Sequence, residues 1–208
     1  LLYDMVTYKG INDQTLVEFA YSVPTLQLGT VEDGQGLNTW FDSHVVLRDQ
    51  DYRRVANTSS KLGPMERPLA SRSDKEIGVD LRTASIALHA PPGEYNSAVE
   101  VRDEASRRIG IFLQSLTVPD YTGKELALSD IRLATSIIQH DEPGPFVRHG
   151  LKIEPNPARI FQDSDPVHFY YEIYNLTPDE TGLTSYRTEL EVTTKERKGN
   201  IVLRFLST

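Results

Sequence analysis

The amino-acid sequence predicts an all-β chain built from antiparallel β-sandwiches. Three observations carry that expectation. Apolar and polar residues alternate with period two through run after run. The 10 Tyr and 7 Phe fall mostly inside those runs, where aromatic side chains favour strands. Clusters of Gly, Pro, Asn and Asp punctuate the runs at the spacing of strands joined by turns.

Taken in order, residues 1–9 read as a first strand and residues 9–13 as a turn. In 15–23, Val17, Phe19, Tyr21 and Val23 share one face, and Pro24 ends the strand or marks an edge. Residues 28–37 hold Gly29, Asp33, Gly34 and Gly36 and read as a loop. Residues 39–48 form a strand, Asp49-Gln50-Asp51 a tight connection, and 52–57 the return. Residues 58–75 are polar and contain Pro64 and Pro68, so a long excursion is expected. The strand over 79–89 must then stop, because Pro91 and Pro92 cannot donate to a ladder.

Gly93 supplies the permissive backbone of a sharp corner. Tyr95, Ser97, Val99 and Val101 then oppose Asn96, Ala98, Glu100 and Arg102. Residues 103–106 are a polar turn, and 109–118 are apolar enough for a central or nearly buried strand. A core joining Tyr95, Val99 and Val101 to Ile111 or Leu113 is expected. The total is about seven strands by Pro119, the number of an immunoglobulin-like sandwich. Tyr95 starts a strand after a corner and resembles the tyrosine corner of such sandwiches, with Ser97 where antibody domains carry Cys. Pro92, Gly93 and Tyr95 are therefore the predicted structural corner, with the Tyr95 hydroxyl bonded to nearby backbone.

Residues 121–129 read as a junction onto which Leu126 and Leu128 can dock. Residues 131–138 read as a strand; a helix capped by Asp130 is the alternative. Further strands are expected over 146–153, 168–174, 185–193 and 201–206. Residues 15–53 and 166–198 echo each other as strand, Pro-ended turn, acidic loop and strand. The expected organisation is two tandem immunoglobulin-like or fibronectin-like sandwiches, over 1–120 and 121–208. The second copy stops before any counterpart of the 94–118 hairpin. Phe169, Tyr171 and Ile173 would then border an uncovered strand-pairing edge, to be closed by further chain or by another subunit.

Several phrases resemble the β-rich regions of bacterial GWxTD-domain proteins: LHAPPGEYNSAVEVRDEASRRIG (88–110), ALSDIRLA (127–134), the PNP at 155–157 and FYYEIYNL (169–176). The GWxTD motif itself is absent. The resemblance implies an extracytoplasmic, envelope-associated modular architecture in the periplasm or at the cell surface. It implies no catalytic residues.

Composition excludes several functions. A net charge of −8 argues against a generic nucleic-acid surface, which needs a basic face. With no Cys, disulfides, thiolate metal sites and thiol nucleophiles are all removed. No run approaches the roughly 20 apolar residues of a membrane helix. The five His make no metal-binding pair, and only His140, beside Asp141 and Glu142, has local carboxylates. Gly34-Gln35-Gly36 precedes no helix and is not a phosphate loop. Carboxylates cluster at Asp49/Asp51, Asp103/Glu104, Asp163/Asp165 and Asp179/Glu180, as calcium loops or as ordinary turns. No catalytic, cofactor or metal residue is expected. The expected partners are other protein subunits or further domains. A carbohydrate-binding module, with a glycan on Trp40, Tyr52 or Tyr121, and an accessory domain of a larger hydrolase are the alternatives.

Overall fold

The computed structural model describes residues 2–24, 27–32, 37–66, 81–193 and 202–207. Among these residues the structure is all β, with antiparallel pairing throughout and no α-helix. The first sheet contains β1 (Leu2–Lys9), β2 (Thr15–Pro24) and β6 (Leu81–Ala90), in the order β1-β2-β6. A turn with Asn12 and Asp13 at positive φ closes the β1–β2 hairpin, a conformation these two residue types tolerate. β2 then pairs with β6 along its whole length, from Thr15↔Ala90 to Pro24↔Leu81.

The second sheet contains β3 (Val31–Glu32), β4 (Leu37–Arg48), β5 (Arg54–Glu66), β7 (Gly93–Asp103) and β8 (Ile109–Val118). Its path runs β3-β4-β7-β8, and β5 also pairs with β4. Both sheets supply one apolar core. Val17, Phe19 and Tyr21 come from β2, Ile86 and Leu88 from β6, and Phe41, Val45 and Leu47 from β4. Tyr95, Val99 and Val101 of β7 and Leu116 and Val118 of β8 complete it. Two ring contacts join the sheets, Tyr21 to Phe41 at 6.1 Å and Tyr3 to Phe112 at 4.3 Å.

The seven long strands expected before Pro119 are therefore present, with the two-residue β3 in addition. Three details differ. The expected excursion from residue 58 is strand as far as Glu66, because Thr58, Ser60 and their neighbours pair in register with β4. The described residues resume at Leu81, so the rest of that segment lies outside them, as do Gly34, Gln35 and Gly36. Ile111 and Leu113 are not in the core, because the pleat turns them to the opposite face from Phe112 and Leu116. β8 lies at the end of its sheet and is not a central strand.

Residues 119–174 add β9 (Ala127–Leu128), β10 (Arg132–Gln139), β11 (Val147–Arg148), β12 (Leu151–Pro155), β13 (His168–Tyr170) and β14 (Ile173–Tyr174). Four of them form a sheet in the order β11-β12-β10-β13, and β14 pairs with β9. β10 is a strand, which settles the strand-or-helix alternative. The single strand expected over 146–153 is a small hairpin, turned at His149 and Gly150, both at positive φ. Leu126 and Leu128 do not dock; both side chains are exposed.

This layer is fastened to β1 and β2 by buried charge. Arg132 Nη1 donates to Asp4 at 3.3 Å, and Nη2 donates to Glu18 at 3.0 Å. Arg159 also reaches Asp4. Thr7 gives both its N–H and its hydroxyl to Asp130. Accordingly the chain divides into compact units at Leu1–Tyr174 and Asn175–Thr208, and the boundary expected after residue 120 lies inside the first. The second unit carries a turn in which Asp179 accepts from Thr181 and Leu183, and the hairpin of β15 (Thr188–Thr193) and β16 (Val202–Ser207). The echo between 15–53 and 166–198 does not extend to matching elements, since β2 has ten residues and β13 three.

Candidate interaction surface

The corner stands where the sequence places it. Tyr95 is buried, and its hydroxyl donates to the Pro91 carbonyl at 2.9 Å. Gly93 has φ +153°, and a Cβ there would lie 3.3 Å from the Tyr95 hydroxyl oxygen. Pro92 sits at the bend before β7. Burial raises the Tyr95 phenol above its ordinary value, helped by the Asp49 carboxylate. It is a hydrogen-bonded brace.

Phe169, Tyr171 and Ile173 do not share one strand. The run 168–174 is split into β13, at the end of the four-stranded sheet, and β14 against β9. The break is at Glu172, whose N–H donates to Ser129 Oγ and whose carbonyl accepts from Ser129 N. Phe169 and Tyr171 stack at 6.3 Å, and Phe169 is partly exposed beside Val167.

The densest polar cluster is centred on Glu172, which sequence reasoning did not single out. Arg148 Nε and Nη2 bind its two carboxylate oxygens. Tyr170 donates to Oε1 at 2.8 Å, and Tyr174 to Oε2 at 2.6 Å. His149 Nε2 lies 3.2 Å from Oε1. Burial works to raise the carboxyl, but the bonds from Arg148, Tyr174 and Tyr170 outweigh it and hold it below its ordinary value. Burial, then the hydrogen bond to the Glu172 carboxylate, pushes the Tyr170 and Tyr174 phenols well up. A carboxylate so fully supplied with donors is a poor proton acceptor, and the phenols are poor acids. Arg148 also lies 4.0 Å over the Tyr8 ring, so the cluster clamps β11 to β1.

The outward face of β4, β5 and β7 is polar. A shallow depression there is lined by Asp42, His44, Ser59, Lys61, Glu100 and Arg102. Its charges answer one another: Lys61 meets Glu104 at 3.2 Å, and Arg102 meets Glu100 at 3.0 Å. Burial and the neighbouring Glu104 raise the Asp42 carboxyl.

β8 is different. Its ten residues, IGIFLQSLTV, include no charge and no proline. Ile109, Ile111 and Leu113 are 49%, 59% and 71% exposed, in a row on the outward face of a terminal strand. The hairpin bond from Asp103 N to Arg108 O sets the phase of the ladder. Pairing continues as Val101↔Gly110 and Val99↔Phe112. Residues 109, 111 and 113 therefore turn their N–H and C=O groups away from β7. The apolar character of 109–118 is visible in the sequence, where it points to a central or nearly buried strand.

The remaining candidates resolve as structure. Tyr121 is buried with its hydroxyl 2.8 Å from Thr7 Oγ1, and Trp40 is half-buried, so of the three candidate sugar-stacking rings only Tyr52 is exposed. Asp49, Asp103, Asp165 and Asp179 accept from backbone N–H groups in their own turns or, for Asp103, also from Gly29. Among the described residues no group of three or more His, Asp or Glu side chains is placed to hold a metal ion. No helix among them is long and apolar enough to cross a membrane. Searches of family models, curated proteins and solved structures find no match to this chain.

Proposed function

We propose that the chain is a non-catalytic protein-interaction module of immunoglobulin-like or fibronectin-like sandwich fold, acting in a bacterial envelope or surface assembly through strand addition at a sheet edge. The observation that carries this reading is the uncharged, proline-free terminal strand β8 with its exposed Ile109, Ile111 and Leu113. Isolated soluble sheets blunt such edges with charge, proline or short length. An unblunted edge suits a protein that takes a strand from a partner.

The sandwich assignment is supported by strand order. With β1, β2 and β6 as A, B and E, and β5, β4, β7 and β8 as C′, C, F and G, the sheets run A-B-E and C′-C-F-G. Tyr95 then braces the start of strand F by a bond four residues upstream, as a tyrosine corner does. The envelope setting rests on the resemblance of 88–110, 127–134, 155–157 and 169–176 to GWxTD-domain proteins. The donor-saturated Glu172 supports a role without bond-making.

The test is binding of envelope proteins from the source cells, copies of this chain included, by the wild type and by Leu113→Lys. The substitution is on an exposed side chain and leaves the fold intact, and binding is expected to fall at least tenfold. Retained binding would overturn the edge reading. Peptide, ester or glycoside turnover lost in Glu172→Gln would overturn the non-catalytic one.

A further inference from the structure

We infer that the partner of β8 is β8 of a second copy of this chain, paired antiparallel about a two-fold axis at Ile111. This rests on the edge-strand reading above and names its occupant.

The other edges argue for selectivity. β1 gives the N–H groups of Thr7 and Lys9 to Asp130 and Tyr174, β6 carries Arg82 and His89, and β5 carries Arg54 and Lys61. β11 and β13 have only two and three residues. β8 alone among these is both long and unblunted.

The row on β8 is also complementary to itself. With Ile111 opposite Ile111, Ile109 lies opposite Leu113 and Gly110 opposite Phe112. Every outward side chain in the shared segment then meets an apolar partner on the same face. Residues 109, 111 and 113 are also those whose backbone groups face outward, so the pairing satisfies the row of donors and acceptors as well. A strand from an unrelated protein would have to supply this match separately; a second copy supplies it by symmetry. The interface is isologous, so it closes at a dimer and does not propagate. It also joins two five-stranded sheets edge to edge.

Across β8, the outward side of β7 presents Ala98, Glu100 and Arg102, the last two paired with each other. The two-fold therefore brings no unpaired charge onto the row. The net charge of −8 on each copy opposes association at long range, and salt screens it, so the dimer should tighten as ionic strength rises.

The experiment is sedimentation equilibrium from low to high micromolar protein, with cross-linking to fix the register. The wild type should show a monomer–dimer equilibrium, and Ile111→Lys should weaken it at least a hundredfold with an unchanged circular dichroism spectrum. Because the chain has no Cys, Ile111→Cys should give a disulfide-linked dimer on mild oxidation. Thr117→Cys, which the two-fold places opposite residue 105 beyond the partner strand, should not. A wild type monomeric throughout, or equal cross-linking from both positions, would overturn the pairing. The envelope-binding comparison with Leu113→Lys then decides the broader reading separately: a monomer that loses envelope binding with that change retains the edge and changes only its occupant.

Discussion

Replacing Arg132 by Met should unfasten residues 119–174 from the β1–β2 face. Arg132 is 2% exposed and Asp4 1%, and their pair sits between two sheets. Met keeps most of the aliphatic stem and removes the guanidinium. Breaking a buried ion pair from one side costs about 3–5 kcal/mol, because the remaining charge is left in the interior. Two features move this case to the low end. Arg159, 59% exposed, still reaches Asp4, and Glu18 is near enough to solvent to rehydrate. The expected loss is about 3 kcal/mol. Urea unfolding followed by far-ultraviolet circular dichroism measures it, and amide exchange locates it: β10 and β12 should lose protection before β4 and β7. In Asp4→Asn with Arg132→Met, the second change should add less than it does alone, by at least about 1 kcal/mol. A loss below about 1 kcal/mol, or strict additivity, would refute the idea that this cluster holds the layer.

Three further outcomes follow from the hydrogen bonds and charges described above. Tyr95→Phe removes the bond to the Pro91 carbonyl and should cost about 1 kcal/mol in urea unfolding, with no change in the apolar core. Tyr21→Phe should be neutral or stabilising by the same measurement. Its hydroxyl is fully buried without a partner of hydrogen-bond geometry among the described residues, although Ser43 is near enough to temper the rise that burial gives its pKa, to about 12. Glu172 has a folded pKa below its ordinary 4.5, so its stabilisation is complete above the unfolded value and lost as pH falls through the folded one. Thermal melting should therefore show a loss of stability below about pH 4.5, and Glu172→Gln should flatten that slope while lowering stability at neutral pH.

The first half of the fold was legible because its signals are local. Alternation in 15–23 and 95–101, Pro91-Pro92-Gly93 and the position of Tyr95 each specify backbone over a few residues, and each is realised. Period two says which side chains share a face, but not which face is covered. Apolarity alone would put Ile111 or Leu113 in the core, whereas the ladder register from Arg102↔Ile109 turns both outward. The second half was less legible because its determinants are distant. Nothing around Glu172 announces that Ser129, forty-three residues earlier, will take its N–H and interrupt the strand. Arg132 likewise reads as a surface residue until Asp4 and Glu18 are seen beside it. Glu172 drew no attention in the sequence because Arg148, Tyr170 and Tyr174 meet it only in three dimensions.

The Asp4–Arg132 pair also orders events during synthesis. The two residues are separated by 128 positions. At about 5–20 residues per second, Arg132 leaves the ribosome roughly 6–26 s after Asp4. The β1–β2 hairpin can form in microseconds. For that whole interval its future buried face displays Asp4 and Glu18 to water, where ionised carboxylates are well solvated and repel other acidic chains. Leu or Phe at these two positions would add to the apolar surface that Val6 and Tyr8 already show on that face. The ionic seam thus keeps the Asp4 and Glu18 part of that face hydrated until Arg132 and then Arg159 are made.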